Sequence, residues 1–183
     1  KPDPTSGLYA EGNIQPFYEF QRGNFATRFT AEGRAYYGFG ATDRVVLAGR
    51  VKLGSVVGAD IADLPPNQLF LAGGGGSIRG YSYRSIGVKT PTGETIAGRS
   101  LVETSGEVRT RVTDSIGVVG FVDAGYVGEQ SYPDFSEEMR VGAGLGLRYL
   151  TGLGPIRLDV ALPLNRRSGD PSYAFYVGIG QAF

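Results

Sequence analysis

The chain has 183 residues, with 18 Lys+Arg against 18 Asp+Glu, so its formal net charge is zero and no basic field recommends a nucleic-acid partner. It contains neither cysteine nor histidine, which excludes thiolate nucleophiles, Cys/His zinc sites and Ser–His catalytic pairs, and no apolar run approaches the roughly 18 residues of a membrane helix. Thirty glycines beside eleven tyrosines and ten phenylalanines break helices and favour strands, so a single, mostly β domain is expected.

The opening Lys1-Pro2-Asp3-Pro4 does not read as a natural start and no signal peptide is visible, so a fragment or mature segment is expected. In chain order, a first strand is expected near residues 8–15. A second, 25–37, puts Arg28, Glu32 and Arg34 on one face. At 45–53, Arg44, Arg50 and Lys52 oppose Val45, Leu47, Val51 and Leu53. Residues 99–112 alternate most clearly: Arg99, Glu103, Glu107, Arg109 and Arg111 hold the odd positions, and every even position is uncharged. A looser segment covers 117–127. Within 139–150, Arg140, Gly142, Gly144, Gly146 and Arg148 oppose Val141, Ala143, Leu145, Leu147 and Tyr149. At 156–162, Arg157 and Asp159 oppose Ile156, Leu158, Val160 and Leu162. The closing segment, 173–183, sets Tyr173, Phe175, Val177, Ile179 and Phe183 on one face, with Gly178 and Gly180 weakening it.

This makes about eight strands of roughly 10 to 14 residues, the length of a tilted bilayer crossing. Tight turns at 41–42, 113–114 and 151–154 alternate along the chain with longer polar connections at 64–98, 129–137 and 165–171, as in an outer-membrane barrel. The fold class expected is therefore an all-β, transmembrane antiparallel β-barrel segment, its apolar parity toward lipid and its charged parity toward the interior.

The stretch "GGGGSIRGYSYRSIG" (73–87) belongs to a connection too long to be idle. Its glycines let the backbone turn sharply and approach a wall, so the loop can tuck inward. Arg79 inside a lumen would need carboxylates, and the charged parity supplies Glu107 and Asp123. A solvent-exposed glycine linker with an incidental arginine is the competing reading. No phosphate-cradle pattern occurs there. Ser77, Ser82 and Ser85 have no histidine to activate them and Lys89 is near only in sequence, so no enzyme is expected. Asp134, Glu137 and Glu138 read as a solvated loop rather than a calcium site; no metal or cofactor is expected. Tyr126, Tyr149, Tyr173 and Phe183 lie near strand ends, where interfacial aromatic girdles form.

"FLAGGGGSIRGYSYRSIG" (70–87), "GFVDAGYV" (120–127), "VGAGLGLRYLTGLGPIRLDVALPL" (141–164), "YAFYVGIGQAF" at the close and "DPTSGLYAEG" (3–12) resemble the C-terminal barrel half of the outer-membrane assembly superfamily, and within it the TamA type more than the BamA type. The resemblance implies that residues 1–183 are the C-terminal part of a surface-antigen barrel of about sixteen strands, without its periplasmic POTRA domains or N-terminal strands. It matches Ile78, Arg79, Gly80 and Tyr81 to a loop motif folded into the lumen, Glu107 and Asp123 to the carboxylates that receive Arg79, and the segment from Tyr173 to Phe183 to a C-terminal β-signal. The implied function is insertion of β-barrel proteins, autotransporters among them, into the Gram-negative outer membrane by lateral strand templating. Partners implied are outer-membrane lipid, nascent barrel substrates and an inner-membrane or periplasmic protein reached through the POTRA domains. The isolated segment could close on itself, pair with a second copy or require the missing half. A passive pore or two-partner secretion channel is the alternative, with Arg109, Arg111, Arg140, Arg148 and Arg157 setting selectivity.

Overall fold

A computed structural model describes residues 3–183. Eight strands form one antiparallel sheet: β1 (Gly7–Glu19), β2 (Asn24–Phe39), β3 (Val45–Val57), β6 (Ser100–Arg111), β7 (Ile116–Gly128), β8 (Arg140–Thr151), β9 (Gly154–Pro163) and β10 (Ala174–Ile179), hydrogen-bonded in that order. Between β3 and β6 lies a small hairpin, β4 (Val88–Lys89) with β5 (Thr95–Ile96). The ladder is in sequence order throughout, the antiparallel meander expected of a barrel wall.

Period-two alternation explains which side chains go where. On β8, Leu145, Leu147 and Tyr149 are exposed on one face, while Gly142, Gly144, Gly146 and Arg148 line the other. On β6, Val108 points outward, and Glu103, Ser105, Glu107 and Arg109 are buried on the inner face. The exposed face thus carries Leu47, Val108, Val122, Leu145, Leu158 and Phe175 across six neighbouring strands. Apolar surface on that scale disfavours water and suits hydrocarbon.

The polar face is concave. Six inter-strand spacings separate β2 from β10, about 29 Å in a flat sheet. Nonetheless the rings of Tyr36 on β2 and Phe183, four residues beyond β10, lie 6.4 Å apart. Four extended residues reach only about 14 Å, so the sheet itself curls.

Two features depart from the sequence reading. The connection between β1 and β2 is only residues 20–23, although it shares an end with the three long connections, so the alternation of short and long fails at its first member. The loop 58–99 is not a merely polar connection. It carries two 3₁₀ turns, Ile61–Asp63 and Pro66–Gln68, and bridges Phe70 to Gly98 and Ala72 to Ile86. Its Leu64, Leu69, Phe70, Ile78, Tyr81 and Ile86 are buried against Ala26, Val56, Leu101 and Val127 of the wall. Gly54 on β3 is where Phe70 seats, since a Cβ there would lie 2.6 Å from the ring. The guanidinium carbon of Arg28 lies over the Phe70 ring, 4.5 Å from its centre.

Candidate functional site

The loop delivers Arg79 to the middle of the concave face. Its Nε donates to Asp123 Oδ2 at 2.7 Å and its Nη2 to Asp123 Oδ1 at 2.9 Å, a bidentate pair. Nη1 donates to Glu107 Oε2 at 2.7 Å and to Asp159 Oδ2 at 3.2 Å. The backbone N–H of Arg79 adds a further bond to Asp123 Oδ2 at 3.0 Å. The guanidinium carbon sits 3.5 Å from the centre of the Phe121 ring. Exposure of the four charged side chains is 2% or less. A buried guanidinium needs both charge compensation and filled donors, and strands β6, β7 and β9 each contribute one carboxylate to that end.

Further arginines extend the cluster. Arg109 Nε donates to Glu107 Oε1 at 3.0 Å, Arg148 Nη1 donates to Asp159 Oδ1 at 2.6 Å, and Arg157 lies 3.7 Å from Asp159. Nearer the loop end a second group forms, in which Arg50 donates to Glu103 at 3.0 Å and stands 3.2 Å from Glu32. Ser77 binds Glu103 through its hydroxyl at 2.7 Å and receives the Gly73 N–H at 3.0 Å, so this serine ties the loop to β6.

The backbone of the motif fits against glycines of the wall. A Cβ at Gly142 would overlap the Arg79 carbonyl, one at Gly144 would lie 2.5 Å from the Phe121 ring, and one at Gly125 would lie 2.5 Å from Ile78. Gly80 has φ +101° and passes so close to β9 that a Cβ would approach the Leu162 carbonyl carbon to 2.9 Å. Its N–H donates to the Tyr176 hydroxyl at 3.0 Å. The Tyr81 hydroxyl lies 2.7 Å from Asn165 Oδ1 and 3.1 Å from the Val141 carbonyl. Arg167 clamps the far side of the loop, donating to the Ser85 carbonyl at 3.1 Å and pairing with Asp170 at 2.9 Å. Burial raises the Asp170 carboxyl, but hydrogen bonds and charge from Arg167 outweigh it and hold the group below its ordinary range.

The structure therefore brings Ile78, Arg79, Gly80, Tyr81, Glu107 and Asp123 together. Asp159, Phe121, Tyr176, Asn165 and the β8 glycines belong to the same assembly and were not singled out by sequence, though Asp159 stood on the charged parity. The C-terminal segment divides. Tyr173, Phe175, Val177 and Ile179 are exposed on the outer face, but Phe183 is not with them. The β10 ladder stops at Ile179, and Gly180 takes φ +92° while its N–H donates to the Pro155 carbonyl at 2.7 Å, turning the chain inward. Arg109 then stands 5.2 Å from the Phe183 ring and donates to its carbonyl at 3.0 Å. Tyr126 also leaves the expected girdle: it is fully buried and its hydroxyl donates to Asp134 at 2.7 Å, which holds that carboxyl below its usual range. Glu138 instead pairs with Arg140 at 3.4 Å, so these loop acids serve separate partners.

A profile of the Omp85 superfamily domain matches residues 1–183, the whole chain. The chain belongs to the Omp85 superfamily. The Omp85 chain is 31% identical over 145 residues to the outer membrane protein assembly factor BamA of Nitratidesulfovibrio vulgaris, a match covering 75% of the chain and 18% of that protein. It is 30% identical over 128 residues to the chloroplastic outer envelope protein 80 of Arabidopsis thaliana, covering 66% of the chain and 16% of the relative. Its fold matches the crystal structure of BamA from Haemophilus ducreyi lacking POTRA domains 1–3, with a TM-score of 0.75 at 23% identity, over 94% of the chain and 38% of that structure. The chain thus spans under a fifth of the length of these curated relatives.

Proposed function

We propose that this chain is the C-terminal strand set of an outer-membrane barrel that assembles and inserts β-barrel proteins. One observation carries the reading: a long loop is drawn onto the concave face and fixed there by Arg79, through three carboxylates from three strands. Membership of the Omp85 superfamily and likeness to an outer-membrane assembly factor support it. An outward apolar face suits the outer membrane's hydrocarbon, and a polar inner face occupied by the loop suits a wall that opens at a strand edge better than a standing aqueous channel. The two edges of the sheet are β1 and the short β10, of six residues. On this reading substrate strands meet the barrel at β10, where backbone donors and acceptors are available for templating. The finer assignment, to the TamA type with autotransporter substrates and a periplasmic partner, rests on the motif resemblance.

Planar-bilayer recording of the complete protein, paired with surface display of an autotransporter in cells carrying it, tests both levels. A mostly closed barrel with brief openings, together with display that depends on the protein, is expected. A steady large conductance without dependence of display would favour the passive pore.

A further inference from the structure

Most cations of this chain have carboxylate partners. Among the described residues only Arg28, Lys52, Arg84, Lys89 and Arg166 make no ion pair. Three of these five, Arg28, Lys52 and Arg84, line one open recess between the folded-in loop and strands β2, β3 and β6. Arg28 and Lys52 are half-buried there and Arg84 is exposed. The one carboxylate in the lining, Glu103, is engaged by Arg50 at 3.0 Å and by the Ser77 hydroxyl at 2.7 Å. Arg28 and Lys52 also border an adjoining recess toward β1, where the acids are occupied as well. Glu32 is held by Arg34 at 2.6 Å and by Arg50 at 3.2 Å, and Glu11 accepts from the Tyr9 hydroxyl at 2.6 Å and from Asn13 at 3.0 Å.

Register fixes the spacing of two of these cations. Arg28 on β2 stands opposite Val56 on β3, and Lys52 lies four residues from Val56 on the same inner parity, about 13 Å along the strand. One small anion does not span that distance. Carboxylates at positions i and i+4 of an extended chain do, and they share one face of it. We propose that this recess receives an extended, acidic segment of a client polypeptide, whose alternate side chains present carboxylates to Arg28, Lys52 and Arg84. The inference rests on the assembly reading above, because a barrel that opens at a strand edge gives a foreign chain access to this face. Tyr83, 81% exposed in the same lining, offers the segment an aromatic surface beside Arg84.

The test uses the complete protein purified in detergent and a short fluorescein-labelled peptide of alternating Glu and Thr. Fluorescence anisotropy is expected to show saturable binding that weakens as salt rises, and the same peptide with Gln in place of Glu is expected not to bind. Combining Arg28→Gln, Lys52→Gln and Arg84→Gln is expected to weaken binding about tenfold or more. Lys89→Gln with Arg166→Gln, the two unpaired cations outside the recess, should leave it unchanged. None of the five belongs to an ion pair of the fold, so the heat-resistant folded band should persist in both variants and show that lost binding is not lost structure. Peptide binding is read apart from the conductance and display that test the assembly reading, so either can fail alone. Equal binding of the Glu and Gln peptides, or of the triple variant and the parent, overturns the proposal. Absence of binding overturns it too, in favour of a recess filled by acids of the protein's own remaining strands.

Discussion

Replacing Arg79 with alanine is expected to abolish the heat-resistant folded band of the purified protein on semi-native gels and to stop substrate assembly in cells. The substitution leaves Glu107, Asp123 and Asp159 facing one another in a site where each is 1% exposed or less. Removing one partner of a buried ion pair typically costs about 3–5 kcal/mol, comparable to the margin of an entire domain. Here the cation also caps the Phe121 ring and fixes its own backbone through Asp123, so the loop loses its anchor along with the charge. Arg79→Lys is expected to rescue little. A lysine ammonium is a point donor and does not reproduce the bidentate grip on Asp123 while reaching Glu107 and Asp159. Pairing Arg79→Ala with Asp123→Asn should cost less than the sum of the two single changes, because the second removes a charge that the first left uncompensated. Additive losses, or an unaltered band and undiminished display in Arg79→Ala, would show that this cluster does not hold the loop.

Gly142→Ala is expected to produce nearly as severe a defect through sterics alone. The added methyl would occupy the position of the Arg79 carbonyl, and that backbone cannot retreat without pulling the guanidinium off its three acids. Overpacking of this kind costs roughly 1–3 kcal/mol when the neighbours can shift, and more where they are pinned. Limited proteolysis in intact proteoliposomes should then cut within residues 58–99, a segment protected in the unsubstituted protein. Gly106→Ala is the control. A Cβ there meets nothing within 4 Å, so its stability should stay within about 0.5 kcal/mol of the parent. If Gly142→Ala left the loop as protected as Gly106→Ala does, the close seating of the motif on β8 would be wrong.

These two residues mark what the sequence made legible. Charged side chains at alternate positions reveal the inner face directly, because water and hydrocarbon divide a strand by parity. Glu107 and Asp123 could be placed there without coordinates. Asp159 stood on the same parity, yet its convergence on Arg79 depends on the sheet's curl, which carries β9 around to the loop, and curl leaves no mark on alternation. The glycines at 142, 144 and 146 were legible as a row and not as a seat, since a missing side chain does not announce what fills its space. The apolar core of loop 58–99 was hidden for a related reason: Leu64, Leu69, Phe70 and Ile86 follow no period. Phe183 misled because a single positive-φ residue, Gly180, ends the alternation that the preceding residues establish.

On this account hydrocarbon covers one face of the sheet while the polar face encloses the folded-in loop 58–99. This arrangement is tested most directly by nitroxide scanning along β3 in lipid vesicles, which the absence of cysteine makes unambiguous. Single cysteines at Leu47, Val51 and Leu53, all exposed on the outer face, alternate with labels at Ala48 and Lys52 on the inner one. Collision with dissolved oxygen, which partitions into the bilayer, is predicted to be high at the first three positions and low at the other two. Uniform accessibility along the strand, or oxygen contact greatest at Ala48 and Lys52, would contradict the account.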